Sequence, residues 1–132
     1  MFICGNKQKT NDWAFFQATN HLGHFLLTNL LLDLLKQSAP SRVVFLMNMD
    51  YRKASIDLND LNLEKSFNKT QAFRQSQLAN MLLVLELSDR LKGSGVTCNA
   101  AYPGIVGGTG KEKKMKYRRF KYSMIYFWGR KV

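Results

Sequence analysis

The chain has 132 residues, a formal net charge of +11, and 45% hydrophobic and 12% aromatic residues. This length allows one domain with a modest core, and the composition excludes an intrinsically disordered protein. The two cysteines, Cys4 and Cys98, lie far apart and form no metal-ligand spacing, which favours reduced thiols in a cytosolic-type compartment. The first residues lack the long apolar segment of a signal peptide, and Asn29 and Asp33 interrupt the longest leucine-rich stretch, so we expect no transmembrane helix.

The positive charge is concentrated at the C-terminal end of the chain. Residues 111–132 contribute +8 of the net +11, because they hold nine Lys or Arg residues against the single acidic residue Glu112. The composition changes near Gly107-Gly108-Thr109-Gly110. We therefore predict two segments, a body over residues 1–106 and a basic, aromatic-rich tail over residues 107–132.

The hydrophobic pattern of the body predicts two long helices and two strands. Apolar residues recur at spacings of three and four from Leu22 to Leu34, which is typical of a helix with a wide apolar stripe (Leu22, Phe25, Leu26, Leu30 and Leu34). Pro40 ends this region, and residues 42–47 are typical of a strand buried on both faces. A second helix is predicted over residues 70–92, stopped by glycines, before a strand over residues 96–101. This order implies a parallel pair with a right-handed crossover.

Several short motifs occur in the order found in one enzyme family. The run Asn20-His21-Leu22-Gly23-His24 resembles the central helix of short-chain dehydrogenase/reductases, and within them the retinol-dehydrogenase-like branch. The resemblance covers roughly residues 9–106 and is carried further by Ser38-Ala39-Pro40-Ser41-Arg42-Val43-Val44, Asp60-Leu61-Asn62, Leu78-Ala79-Asn80, Arg90-Leu91, Gly95-Val96-Thr97 and Pro103-Gly104. It implies an α/β fold, namely a partial Rossmann-like fragment of a doubly wound parallel sheet with two long helices, followed by an irregular or helical basic tail.

The resemblance also assigns four catalytic positions. In the family, a tyrosine passes a proton while hydride is exchanged with a nicotinamide, a lysine lowers the tyrosine pKa, and a serine binds the substrate oxygen. The tyrosine position is held by Phe73, the lysine position by Gln77 and the serine position by Asn48, so we expect all three to be non-functional. Only Asn20, the family's helix asparagine, is retained, and a structural role as a buried amide linked to a neighbouring strand is favoured for it.

The family binds NADP(H), but we expect no cofactor for this chain. A glycine-rich turn that receives the pyrophosphate precedes the Asn20 helix in the family, and this sequence has none before that helix. We therefore expect a truncated relative that lacks the cofactor-binding half. Pro103 and Gly104 match the loop that closes over the nicotinamide, and a plain turn is the favoured interpretation. The glycines of residues 107–110 are a weak candidate for phosphate binding because no clear amphipathic helix follows them.

Other reactive side chains give weaker hypotheses. His21 and His24 lie three residues apart on the predicted helix, but no third ligand has a suitable spacing, so we predict no metal site. Ser76 and Tyr102 lack a base within evident reach, so neither is expected to replace the lost tyrosine.

Three functions remain open at this point. The favoured one is a truncated, catalytically inactive relative of NADP-dependent retinol-dehydrogenase-like enzymes. The second is a binding or regulatory partner of an intact family enzyme, which it would join through the two long helices as a heterodimer; a homodimer through the same helices is the related alternative. The third is an NAD(P)-dependent oxidoreductase acting on a retinoid or another lipophilic alcohol or carbonyl.

The tail and the location of the protein give further expectations. Residues 111–132 interleave basic and aromatic side chains, which suits an anionic membrane surface ahead of nucleic acid, although an unselected extension explains them as well. We expect a cytoplasmic location or a peripheral one on the endoplasmic reticulum membrane. A fragment with two parallel strands is also expected to be marginally stable and prone to associate.

Overall fold

The computed structural model describes residues 14–65 and 67–103, together with the backbone of residues 126–128. Two helices, α1 (Gly23–Gln37) and α2 (Lys69–Arg90), accompany three strands, β1 (Ser41–Leu46), β2 (Val96–Tyr102) and β3 (Tyr126–Trp128). The strands form one sheet in the order β1-β2-β3, with β1 and β2 parallel and β3 antiparallel to β2. This arrangement confirms the predicted α/β class and the parallel pair.

Helix α1 continues from a π-helical turn, Ala18–Leu22, without a break in the helical path. The N–H of Gly23 donates to the carbonyl of Ala18, five residues earlier, which is the bond that defines the π turn. The helix ends before Pro40, as predicted, and the hydroxyl of Ser41 donates to the Leu35 carbonyl at 2.7 Å. That bond ties the last turn of α1 to the first residue of β1.

Helix α2 begins and ends at residues suited to those positions. The side chain of Asn68 accepts from the N–H groups of Thr70 and Gln71 at 2.9 and 3.1 Å, which makes it the N-cap. After the helix, Gly93 and Gly95 both have φ of +76°, a conformation that L side chains rarely adopt. A Cβ at Gly95 would also lie 2.8 Å from the Ala39 Cβ. The predicted glycine stop is therefore confirmed, although the helix begins one residue and ends two residues earlier than predicted.

The hydrophobic core lies between α2 and one face of the sheet. The parallel register pairs Phe45 with Ala100 and Val43 with Cys98, so these side chains share a face. Against that face pack the buried α2 residues Met81, Val84 and Leu87, and the residues completing the cluster are Met47, Leu83, Leu91 and Val96. The core is thus built mainly from α2 and the sheet.

Helix α1 presents most of its apolar side chains to solvent, which corrects one prediction. The stripe expected to face the core (Leu22, Phe25, Leu26, Leu30 and Leu34) is between 44% and 73% exposed. Leu32 and Leu35, which lie on another side of the helix, are the apolar α1 residues that pack against the core. Periodicity identified the helix correctly but not the face that is buried, because periodicity does not show which neighbours are present.

Strand β1 is buried on one face only, which corrects the prediction of two buried faces. Phe45 is 7% exposed, whereas Val44 and Leu46 on the opposite face are 47% and 71% exposed. In the part of the chain that the structure describes, no helix covers that second face, so apolar composition alone gave the wrong burial.

The tail was expected to be irregular or helical, and the part of it that is described is a strand. Residues Tyr126–Trp128 pair with β2 through Ala100, Ala101 and Tyr102. Aromatic residues favour pleated structure, and this pairing covers an edge of β2 that would otherwise hold unpaired backbone groups. The remaining tail predictions fall outside the described residues. Among those residues, no helix is long and apolar enough to cross a membrane.

Candidate functional site

The residues assigned to catalysis meet where the π turn, the end of β1 and the N-terminal half of α2 come together. Asn20 lies in the π turn, Asn48 follows β1, and Phe73 and Gln77 lie one turn apart on α2. In a parallel sheet the carboxyl ends of the strands are the usual place for a site. The structure therefore brings the predicted residues to one region.

A hydrogen-bond network joins the π turn to α2 through two asparagines and a serine. The side-chain amide of Asn20 donates to the Ser76 hydroxyl at 3.0 Å, and that hydroxyl donates to the Phe73 carbonyl at 2.7 Å. The amide of Asn80 donates to the Asn20 carbonyl at 2.6 Å. Ser76 is fully buried and Asn80 is 3% exposed. Asn20 thus links two helices, and not a helix to a strand as the sequence analysis expected.

The two histidines are held by this same network. Since the Asn80 amide nitrogen already donates to Asn20, its oxygen accepts from Nδ1 of His21 at 2.9 Å. Nδ1 of His24 lies 3.0 Å from the Asn20 carbonyl, and its ring packs edge-on against Phe45. Over the described residues no group of three His, Cys, Asp or Glu side chains could hold a metal ion. The histidines serve as contacts between elements.

Phe73, at the family's tyrosine position, has no ionisable group. Its ring packs edge-on against Phe16, with the ring centroids 6.1 Å apart. The Phe16 ring in turn lies 6.0 Å from the Lys69 ammonium. A phenylalanine cannot pass a proton, so this position supplies an apolar contact and no acid or base.

Asn48 and Gln77 are joined to each other at the end of β1. The backbone N–H of Asn48 donates to the Gln77 side-chain oxygen at 3.0 Å. The Asn48 side chain accepts from the Asp50 N–H at 3.0 Å and caps a short 3₁₀ helix, Met49–Lys53. Gln77 is 7% exposed. Both side chains therefore carry structural bonds, and the Gln77 position supplies no positive charge to lower a neighbouring pKa.

These residues do not fit the chemistry that a nicotinamide cofactor would need beside it. In the resembled family a lysine holds the ribose and a tyrosine faces the reacting carbonyl, whereas Gln77 is uncharged and bonded to the backbone here. Pro103 is half-buried at the end of β2, and Gly104 lies outside the described residues. Gly104, Gly108 and Gly110 have a Gly-x-x-x-Gly-x-Gly spacing, but they follow β2 and are likewise not described.

An apolar cavity of about 280 Å³ lies beside these residues at the ends of β1 and β2. Sequence analysis did not identify it. Its lining includes Met47, which follows β1, Tyr51 of the 3₁₀ helix, Met81 of α2 and Tyr102 of β2. Tyr102 was considered in the sequence only as a replacement for the lost tyrosine, because a cavity between elements has no local sequence signal.

Cys98 lies in the core, and burial changes the acidity of its thiol. Burial in the core raises the pKa of its thiol from 9.0 to about 11, because the thiolate would lose its hydration there. It is 2% exposed and faces the helices from β2. A thiol with a raised pKa is a poor nucleophile at neutral pH, so Cys98 belongs to the core and not to the site.

The chain is similar in sequence to vertebrate retinol dehydrogenases. It is 52% identical to human retinol dehydrogenase 14 over 99 residues, which are 74% of this chain and 30% of that protein. It is 55% identical to human retinol dehydrogenase 13 over 89 residues, covering 67% of this chain and 27% of that protein. Bovine retinol dehydrogenase 12 is 45% identical over 106 residues, with 80% and 34% covered. The chain thus spans about a third of the length of these relatives.

A solved structure supports the fold. The crystal structure of an uncharacterised protein from Mycobacterium paratuberculosis is 44% identical and superposes with a TM-score of 0.57, over 65% of this chain and 32% of that one. No family model matches the chain. Sequence and structure together show that the chain belongs to the short-chain dehydrogenase/reductase family, in its retinol-dehydrogenase-like branch.

Proposed function

We propose that this chain is a catalytically silent relative of the retinol dehydrogenases. The observation that carries the proposal is Phe73, a ring packed on Phe16 where the family resemblance places the proton-donating tyrosine. Gln77 adds to it, since an uncharged amide bonded to the Asn48 N–H stands at the lysine position. Without these groups, general acid catalysis at this place has no donor, and loss of such a group typically costs about 10²–10⁴-fold in rate.

The test is turnover by the purified chain with a retinoid aldehyde and NADPH. We expect no oxidation of NADPH above a no-protein control, and no saturable binding of NADPH in a calorimetric titration. Turnover by the unaltered chain would contradict the proposal and favour the alternative of an active NAD(P)-dependent oxidoreductase.

The double variant Phe73→Tyr with Gln77→Lys should also remain inactive. Asn48 at the serine position already uses its side chain to cap the 3₁₀ helix, so the two restored groups would still lack a substrate-binding hydroxyl. If the double variant were active and the unaltered chain were not, the loss of activity would be due to those two side chains.

A second candidate function is association with an intact family enzyme through the long helices. The observation in its favour is the exposed apolar surface of α1, where Leu26 and Leu30 are 58% and 73% exposed. On α2, Leu82 and Leu85 are about half-exposed. Exposed apolar patches mark interaction sites in soluble proteins. Co-precipitation of the purified chain with retinol dehydrogenase 14 tests it, and Leu26→Gln with Leu30→Gln should abolish the capture.

A membrane-surface role for residues 111–132 stays a separate proposal. It rests on the charge and aromatic content of that segment alone. Sedimentation with anionic vesicles, compared with neutral ones, would test it, and a peripheral location on the endoplasmic reticulum depends on that result.

A further inference from the structure

A serine with two basic residues ahead of it lies in the segment between β1 and α2. The sequence there is Arg52-Lys53-Ala54-Ser55-Ile56, so cations stand three and two residues before Ser55 and an apolar residue follows it. No other serine or threonine in the sequence has Lys or Arg at both of these positions. Charge on one side of a hydroxyl is a pattern by which protein kinases select their substrates.

The structure leaves the Ser55 hydroxyl accessible. Ser55 is exposed and lies in an irregular segment, residues 54–57, that begins with extended backbone at Ala54. Its side chain makes no hydrogen bond to another described residue. By contrast, three other described serines donate their hydroxyls to backbone carbonyls at 2.6–2.7 Å (Ser41, Ser76 and Ser94). An unbonded hydroxyl on an exposed, extended segment can reach the phosphate of a bound nucleotide.

The two basic side chains also lie at the surface. Arg52 and Lys53 are both exposed, and the Arg52 guanidinium carbon lies 6.0 Å from the centre of the Tyr51 ring. They form the last turn of the 3₁₀ helix, where the N–H of Ala54 donates to the Tyr51 carbonyl at 3.1 Å. Extending this turn breaks that bond, which lowers the population of the extended form by about tenfold or less. Because 3₁₀ turns have poor hydrogen-bond geometry, the fold leaves these cations available to a partner.

We propose that Ser55 is a phosphorylation site for a serine/threonine kinase whose substrate groove is acidic. Carboxylates of that groove bind Arg52 and Lys53, and an apolar contact receives Ile56. The Ser55 Oγ attacks the γ-phosphorus of ATP, so that a new O–P bond forms as the bond to the ADP oxygen breaks. The hydroxyl proton passes to the catalytic aspartate of the kinase. This inference does not depend on the proposed loss of catalysis, because none of these residues stands at one of the four catalytic positions.

The test incubates the full chain with ATP, Mg²⁺ and the catalytic subunit of cyclic-AMP-dependent protein kinase, which selects basic residues ahead of a serine. Intact-mass spectrometry measures the incorporation of phosphate, and fragmentation of the derived peptides locates it. We expect phosphate on Ser55. Its absence from Ser55, whatever other residues are labelled, would overturn the proposal.

Two serine variants give a matched comparison. Ser55→Ala should lose most of the phosphate that the unaltered chain incorporates. The control is Ser38→Ala, because Ser38 is also exposed but has a single basic residue, Lys36, at the corresponding positions. It should be labelled on Ser55 at a rate within about twofold of the unaltered chain. Equal incorporation by Ser55→Ala and the unaltered chain would contradict the assignment.

Charge variants test how the kinase recognises the segment. Arg52→Gln and Lys53→Gln should each lower kcat/KM for labelling of Ser55 by about tenfold or more, because each removes a charge-assisted contact with the groove. Lys36→Gln removes an exposed cation from another part of the surface and should change kcat/KM by less than about twofold. Circular dichroism checks that all three variants fold. Unchanged kcat/KM in both Arg52→Gln and Lys53→Gln would overturn recognition by an acidic groove.

Discussion

Helix α1 is the more apolar of the two long helices but the less buried, whereas helix α2 is less apolar and more buried. In α1 the leucines recur regularly, yet Thr28 is the buried residue of the helix and Leu30 is 73% exposed. Helix α2 is less apolar on average, yet it buries nine residues, and four of them (Gln75, Ser76, Gln77 and Asn80) are polar. The difference shows that position beside the sheet, and not apolar content, sets burial in this chain.

The buried polar residues of α2 are tolerated because most of them have partners. Gln77 accepts from Asn48, Asn80 bonds both Asn20 and His21, and Ser76 is bonded on both sides. A buried polar group without a partner costs about 1–3 kcal/mol. Helix α2 therefore makes most of the hydrogen bonds between elements of the fold. Helix α1 contacts the rest of the protein mainly through the preceding π turn and through Leu32 and Leu35.

The largest expected effect separates a core leucine from an exposed one on the same helix. Leu87→Ala should lower the free energy of unfolding by about 2–5 kcal/mol, because Leu87 is 4% exposed and its removal leaves a cavity. The matched control Leu82→Ala, at a site 50% exposed, should cost less than about 1 kcal/mol. Urea unfolding followed by circular dichroism measures both. Equal losses of unfolding free energy in the two variants would show that Leu87 is no more buried than Leu82.

The second effect concerns the core face of β2 and depends on pH. The Cys98 thiol ionises near 9.0 when unfolded and at about 11 when folded, so the unfolded state loses its proton first between these values. Stability conferred by the buried neutral thiol is complete below pH 9.0 and is lost as pH rises toward 11, by up to about 2 kcal/mol.

Urea midpoints of the unaltered chain and Cys98→Ala across this range isolate that effect. The difference in urea midpoint between the two proteins should be constant below pH 9.0. Above pH 9.0 the midpoint of the unaltered chain should fall relative to that of Cys98→Ala. A difference independent of pH would mean that the thiol is solvated in the folded protein.

The third effect tests the connection between the two helices. Asn80→Ala removes the bond to the Asn20 carbonyl and leaves Nδ1 of His21 without its acceptor, so we expect a loss of about 1–2 kcal/mol. A double-mutant cycle with His21→Ala should give a coupling energy of at least about 0.5 kcal/mol. Strictly additive losses would show that the His21–Asn80 bond contributes nothing to stability.

The smallest effect on stability should come from the exposed face of α1. Leu30→Gln should change the free energy of unfolding by no more than about 0.5 kcal/mol, since the side chain is 73% exposed. It should still reduce self-association, measured by sedimentation velocity at increasing concentration. A large loss of stability in the monomer would instead place Leu30 in the core and remove the contrast between the helices.

Local sequence was sufficient for the long helices, for the two parallel strands and for the positions of the candidate site. Helix α2, its glycine stop and the parallel strands were predicted from spacing and turn residues, and ordered motifs gave the family that the comparisons confirm. Phe73 and Gln77 were recognised as substituted because the flanking motifs fix the alignment. Asn68 is of a residue type that favours N-caps and directly precedes the helical pattern, yet the predicted helix was started at residue 70 without it.

The remaining features depend on contacts between distant residues. The bond from Asn48 to Gln77 spans 29 positions and the bond from His21 to Asn80 spans 59, so no local pattern indicates either. The strand at residues 126–128 forms by pairing with β2, a partner that the aromatic pattern of the tail does not specify.

The sequence by itself determined the family, the order of helices and strands over residues 1–106, and the absence of an ionisable group at Phe73. These features depend on residue identity and on spacing along the chain. Only the tertiary structure decided that α1 exposes most of its leucines, that Asn20 links two helices, and that β1 is buried on one face only. Burial and strand pairing depend on which surfaces come into contact in the folded chain. The hydrophobicity of a side chain favours its burial but does not specify the residues that bury it.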